Sequence, residues 1–259
     1  MKTEASLTHH PRESVSMKTP EKHELIDAET SVYSEKHARS YDKKRFGTKQ
    51  GRTVQRLEMH QLKLATSLLQ PGARVLEIGA GTGRFSIELA SNGFNVVALE
   101  PSEEMLAKAK EKAADIENID FVQRLGDATG YDDNSFDFVF SARVLNRLKS
   151  KAVANNIVRE KVRVTKPGGM IYLDIATKGF TFPRPGNPIL YSTKEIANLA
   201  EDLNCDIVSK RGMFVLSSQF IAKLPSFILP LWEKLEVALS RPLYGISSKS
   251  AVVLKKKHT

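Results

Sequence analysis

Apolar and polar positions change period several times along this chain, and the changes mark out its elements. Positions Arg74–Ile78 form a short, nearly continuous apolar run, the pattern of a strand covered on both faces. A helical period follows over Arg84–Ser91, then a second strand at 95–100 and a second helix at 102–112. Ser102 has the side chain of an N-cap there, and Met105, Leu106 and Ala109 make an apolar face. Strands are predicted again at 119–124 and Phe136–Ser141, a helix from about 149 to 164, and a strand at 170–174 after the turn Pro167-Gly168-Gly169. The last third adds a short helix at 192–203 with Ser192 as its cap, and strands at 205–215 and 250–255. Strands alternating with helices imply right-handed crossovers and a parallel sheet. The last two strands are joined by a connection that suits an antiparallel edge pair.

Three further segments have their own patterns. Residues 1–30 are polar, interrupted by Pro11 and Pro20, and read as a tail; His9 and His10 lie in it without further metal ligands at a suitable spacing. Residues 31–70 are helical, with Val54, Leu57, Leu64 and Leu68 on one apolar face, and Pro71-Gly72 ends the run. Positions 224–239 read as an amphipathic helix with Ile228, Leu231, Trp232, Leu235 and Leu239 on its apolar side. That side is expected to pack on the sheet edge, because Glu233, Lys234 and Glu236 lack the Lys/Arg excess of a membrane-surface helix. Pro230 is expected to kink or break its first turn.

The first strand runs directly into Gly79-Ala80-Gly81-Thr82-Gly83, with a helix behind it. Glycines let backbone approach a ligand closely, and a helix N-terminus offers N–H groups and a positive dipole end. The dinucleotide fingerprint would need Gly at position 84, where Arg stands, and no P-loop pattern is present. A tight turn without a ligand is the plainer alternative. Glu100 weighs against it: an acid at the end of the second strand, about 20 residues on, is placed to accept hydrogen bonds from ribose hydroxyls.

Composition narrows the class. The 259 residues suit one decorated α/β domain, and 41% hydrophobic content supports a substantial core. A single cysteine, Cys205, excludes an internal disulfide framework, and the start of the chain lacks a signal-peptide pattern, so a cytoplasmic protein without stable membrane insertion is expected. The net charge of +9 is uneven: positions 34–56 hold eight basic residues against two acidic ones. Such a surface serves an anionic partner or is only solvated.

The run Glu77-x-Gly79-x-Gly81-x-Gly83 resembles the first motif of the class I S-adenosylmethionine-dependent methyltransferases. Glu100-Pro101-Ser102, Gly126-Asp127-Ala128, Ser135-Phe136-Asp137-Phe138-Val139 and Lys166-Pro167-Gly168-Gly169 resemble that family's later motifs, in order. The resemblance covers about residues 41–175 and is looser beyond. It implies a Rossmann-like, doubly wound, seven-stranded sheet with an antiparallel last strand, and S-adenosyl-L-methionine as cofactor. Residues 31–70 would form an N-terminal helical lid on a domain at 71–259, whose 178–248 part carries a substrate-side loop and helices. The implied cofactor contacts are Glu77, Gly79, Ala80, Gly81, Gly83, Glu100, Pro101, Asp127, Ala128 and Ser141, with Tyr41 and Arg45 from the lid. Arg143, Arg147, Phe182 and Arg184 are candidates for the acceptor, and Asp137 belongs to the fold signature.

Positions 141–144 lack the Asn/Asp-Pro-Pro-aromatic run of enzymes that methylate exocyclic amines, and Asn146-Arg147 stands where many relatives place a His base. No catalytic base is assigned. A small aromatic or lipophilic acceptor is favoured and DNA is not expected. An RNA methyltransferase is disfavoured for want of a module with interleaved aromatics, and a non-catalytic cofactor-binding protein remains the alternative from another class.

Overall fold

The computed structural model describes residues 35–148, 150–177, 189–214, 221 and 223–258. In it the alternation resolves into α1 (Glu35–Phe46), α2 (Lys49–Thr66), β1 (Arg74–Ile78), α3 (Arg84–Ser91), β2 (Asn95–Leu99), α4 (Glu103–Lys112), β3 (Ile119–Val122) and β4 (Phe136–Ser141). There follow α5 (Lys151–Val164), β5 (Thr165–Ala176), α6 (Thr193–Asp202), β6 (Cys205–Met213), α7 (Leu229–Leu239) and β7 (Lys249–Lys256). All seven strands form one sheet in the order β3-β2-β1-β4-β5-β7-β6. Strands β1 to β5 pair in parallel, and β7 runs antiparallel to both β5 and β6, so the reversed strand lies inside the sheet and β6 forms its edge. This is the α/β, Rossmann-like sheet that the alternation and the family resemblance imply.

Both faces of the sheet are covered, which is why its strands are apolar at successive positions. On one side Leu76, Val139, Ile171 and Leu173 pack with Ile157 of α5 and Ile196 of α6. On the other, Val75, Phe138, Phe140 and Tyr172 pack with Leu57 and Leu62 of α2 and Phe85 and Leu89 of α3. Local chemistry sets the helix starts. Ser102 Oγ accepts from Met105 N at 3.3 Å, and Ser192 with Glu195 closes a reciprocal capping box. Asp137 is a structural brace: its carboxylate accepts from Arg74 N at 2.8 Å and Lys166 Nζ at 2.7 Å, joining β1, β4 and the start of β5.

Several local expectations are corrected. The expected face of α2 is borne out at Leu57, which is buried, and at Val54, which packs against the core, but Leu68 is 78% exposed beyond the end of the helix. Buried Thr53, Glu58 and Gln61 share the inner face with Leu57, because a charged cluster described below draws it inward. Pro230 does not break its helix. It stands in the first turn of α7, where its missing N–H is not needed, and a single 3₁₀ turn (Ser226–Ile228) precedes it. The expected core face of α7 is only partly inward: Trp232 packs against the core and Ile228 and Leu239 are half-buried, but Leu231 and Leu235 are exposed while Glu236 is buried. Helix α7 meets the protein through Leu229, Trp232 and Val237, the buried Glu236, and Glu233, which pairs with Arg56 of α2. The His9/His10 pair and the tail fall outside the described residues.

Candidate active site

The order of the sheet reverses between β1 and β4, and the loops leaving these strands border one crevice at their carboxyl ends. The two loops touch: a Cβ on Gly79 would lie 2.4 Å from Val144 Cγ2. Gly79 N and Ala80 N both donate to Leu99 O, at 2.8 and 2.9 Å, which ties the turn to the end of β2. Gly81 is held at φ 59°, and a Cβ there would meet only Met105 Cε, at 3.6 Å. Glycine at 81 is thus required by backbone conformation, and the space beside it is open.

Glu100 lies at this turn. Its Oε2 accepts from Gly81 N at 2.8 Å and its Oε1 from Ser102 N at 3.1 Å. Burial raises the Glu100 carboxyl, opposed by these two N–H bonds. Each oxygen has one protein donor, so lone pairs remain for a diol. Pro101 follows, half-buried, its carbonyl accepting from Gln123 Nε2 at 3.1 Å. Gly126 packs against β1, where a Cβ would lie 2.3 Å from Ile78 Cγ2, and this brings the half-buried Asp127 and Ala128 to the same end of the sheet. Gly83 caps α3 from the left-handed region and packs toward Ala109 of α4.

Two expected contacts point inward. Glu77 is 1% exposed and accepts from Ser86 of α3; burial pushes its carboxyl up to about 8, against the pull of Ser86 and Arg84. The Ser141 hydroxyl is buried against Lys161, whose Nζ donates to Ser141 Oγ at 2.6 Å and to Tyr172 O at 3.1 Å. Burial pulls Lys161 down to about 7, with Asp174 and Glu77 acting in the other direction.

The main feature that sequence reading missed is a buried charged cluster beside the crevice. Glu58 of α2 accepts from Arg84 at 3.1 Å, Arg143 Nε at 2.8 Å and Lys249 Nζ at 2.9 Å. Lys249 also pairs with Asp174 at 2.6 Å, and Asp174 accepts from Arg143 N at 3.0 Å. Burial would raise the Glu58 carboxyl, but Lys249, Arg143 and Arg84 outweigh it and hold the group well below the usual carboxylate range. Arg143, expected on the acceptor, has its Nε committed to Glu58 and its backbone at φ 62°, in the loop after β4. The partners come from α2, α3, β5, β7 and that loop, up to 191 residues apart in the chain. Asp174 at a strand end was the one available signal.

Helix α1 crosses the mouth of the turn. Thr82 Oγ1 donates to Asp42 at 2.8 Å, and Lys112 bridges Asp42 and the Thr82 carbonyl. Phe46 presents its ring to Arg84 (4.5 Å to the centroid) and Arg143 (5.4 Å), and Tyr41 meets Phe46 edge-on at 6.2 Å. Partial burial and the nearby Arg147 and Arg143 draw Arg45 below its ordinary value, so the exposed Arg45 and Arg147 gather beside the largely buried Arg143. The structure therefore brings Gly79–Gly83, Glu100, Asp127, Tyr41, Arg45, Arg143 and Arg147 to one end of the sheet. Phe182 and Arg184 lie outside the described residues, as does Phe180. Tyr191, just after that segment, is 3% exposed in the core, its hydroxyl donating to Asn155 at 2.8 Å.

Residues 76–173, which run from β1 into β5 and hold the glycine turn and Glu100, match the family described as "Methyltransferase domain". A putative methyltransferase, YqeM, of Bacillus subtilis is 35% identical over 113 residues, 43% of this chain and 45% of that protein. A demethylmenaquinone methyltransferase of Renibacterium salmoninarum is 46% identical over 106 residues, covering 39% and 40%. The chain thus matches less than half the length of either relative. Among solved structures, phosphoethanolamine N-methyltransferase 2 of Haemonchus contortus in complex with S-adenosyl-L-methionine superposes with a TM-score of 0.64 at 18% identity, over 90% of this chain and 60% of that one. The cyclase SpnF superposes at 0.58 and 18% identity, over 78% of this chain and 81% of that one. At such identities the likeness is one of fold. None of the helices described is long and apolar enough to cross a membrane.

Proposed function

We propose that this chain transfers the methyl group of S-adenosylmethionine to a small, lipophilic acceptor that carries an acidic group. The observation that carries the reading is the Glu100 carboxylate on Gly81 N, at the open glycine turn of the methyltransferase domain. The donor set fits the cofactor. Glu100 would offer lone pairs to ribose hydroxyls, Asp127 and Ala128 would hold the adenine, and the backbone of Gly79 to Gly81 would take the methionine part. Glu77, beneath α3, favours its ionised form when a cationic group arrives above it. When bound, the cofactor supplies a methyl group already activated on a sulfonium.

The protein then has to align the acceptor and keep water out. Helix α1, latched to Thr82 through Asp42, covers the mouth, and Phe46 provides an apolar wall over two guanidiniums. Arg45 and Arg147 at the rim favour an acceptor in its anionic form, which lowers the need for a protein base. Demethylmenaquinone methyltransferases among the relatives support a lipophilic acceptor.

Calorimetry with S-adenosylmethionine and its demethylated product tests the cofactor; micromolar binding, roughly −8 kcal/mol, is expected. Binding of NAD in place of both would overturn the reading. Labelled cofactor incubated with fractionated extract tests the acceptor: label in a lipid or acidic metabolite fraction supports it, and label in RNA overturns it.

A further inference from the structure

Helix α7 was expected to bury its apolar side; Leu229 is buried and Trp232 and Val237 pack on the core, but part of that side stands outside it. Phe227, Leu231 and Leu235 are 83%, 70% and 47% exposed. Leu231 and Leu235 lie four residues apart on one side of α7, about 6 Å along its axis, and Phe227 stands in the 3₁₀ turn that leads into the helix. The acids of the helix are removed from that side. Glu236 is buried, and Glu233 takes Arg56 of α2 at 3.0 and 3.1 Å. Lys234 remains among the exposed leucines, and exposed Lys223 and Arg241 stand before and after the helix. Burial, and then the neighbouring Arg241, draw Arg211 of β6 below its ordinary value, so a further cation stands near this end.

We propose that α7 is a membrane-surface helix which docks this protein on an anionic lipid bilayer, with Phe227, Leu231 and Leu235 entering the headgroup boundary and Lys223, Lys234 and Arg241 facing lipid phosphates. Charge complementarity selects this occupant. A single exposed helix with three apolar side chains, cations beside them and no exposed acid on that side has the signature of an interfacial helix. The stripe stands out from the protein, which suits insertion into a soft interface more than capture of a peptide, for which a groove is needed. Isolated exposed leucines need no explanation, but an aligned set flanked only by cations does. The Arg56–Glu233 pair links α7 to α2, which carries Glu58, so docking would orient the candidate site with respect to the bilayer.

Co-sedimentation of the full chain with phosphatidylcholine vesicles, and with vesicles half phosphatidylglycerol, tests this without cofactor. Its outcome is therefore separable from the methyl-transfer reading. Binding is expected only to the anionic vesicles. Lys234→Glu should weaken it by about fivefold or more, and Leu231→Asp with Leu235→Asp should abolish it while the circular dichroism stays unchanged. Trp232, the single tryptophan of the chain, gives a direct readout on the same helix: brominated lipid should quench its emission. Equal binding to neutral and anionic vesicles, binding insensitive to the leucine substitutions, or no binding at all would overturn the proposal. So would loss of a dimer on Leu231→Asp in analytical ultracentrifugation when vesicles are not bound, since the stripe would then cover a second copy of the chain.

Discussion

Replacing Glu58 by Gln is the most informative perturbation of the buried cluster. The side chain keeps its shape, so no cavity forms, but its charge is lost. In the native protein one carboxylate faces Arg84, Arg143 and Lys249 at 2.8–3.1 Å; Asp174 also pairs with Lys249, and Glu77 faces Arg84. Each such pair is worth about 4 kcal/mol before desolvation is counted, and desolvating each ion costs several kcal/mol. The net value of the intact cluster is therefore modest. Removing its central partner is different, because three cations stay buried with their attraction gone. The expected loss is about 3–5 kcal/mol, a large part of the roughly 5–15 kcal/mol that holds a domain folded. In a domain of this size that lowers the Tm by about 6–20 °C.

The pH dependence gives an independent check. In the unfolded chain Glu58 titrates near 4.5, and in the folded chain well below that. Between these values the unfolded state binds more protons, so the contribution is complete above about 4.5 and is lost as the pH falls through the folded value. Glu58→Gln should flatten this acid limb. Urea titrations from pH 3 to 8, read by circular dichroism, measure both effects. A loss under about 1 kcal/mol with an unchanged acid limb would refute the account, and would mean that solvent already screens these cations.

Glu100→Ala should weaken S-adenosylmethionine binding by roughly tenfold or more, since a charged hydrogen-bonding group of this kind is worth about 1.5–3 kcal/mol; equal calorimetric affinity in a folded variant would remove Glu100 from the site. Lys161 loses its proton in the folded protein near 7 but retains it to about 10.5 when unfolded, so the unfolded state binds more protons across that window and stability should rise with pH through it. Lys161→Met should abolish that rise, and a slope that persists would assign it to another group. Asp42→Ala should change global stability by no more than about 1 kcal/mol, because its ion pair is half exposed, yet speed proteolysis within 35–46 by releasing α1 from Thr82. Unchanged cleavage would mean that α1 is held elsewhere. Arg45→Ala with Arg147→Ala should raise KM for an acidic acceptor and leave cofactor affinity nearly intact; reduced cofactor affinity would assign these arginines to the cofactor instead.

Local pattern was sufficient for the frame. Strand and helix periods, the caps at Ser102 and Ser192, and the glycine turn all depend on neighbours a few residues apart, and each is legible in the chain. The place of Glu100 was legible too, because in a βαβ unit the end of the second strand has nowhere else to lie than beside the first turn. Tertiary structure alone decided the partners of charges and the faces of isolated helices. Glu58 looks like a surface acid on a basic helix until β5 and β7 bring Asp174 and Lys249 beneath it. Glu77 and Ser141 sit at strand ends, where sequence suggests the crevice, but pleat and crossover packing turn them toward Ser86 and Lys161. The hydrophobic side of α7 is plain in the sequence, but whether it faces core or solvent is not. That depends on which residues dock against α2 and β6, and there Glu236 lies inside and Leu231 outside. A repeating pattern identifies an apolar face, and only the assembled neighbours determine what it meets.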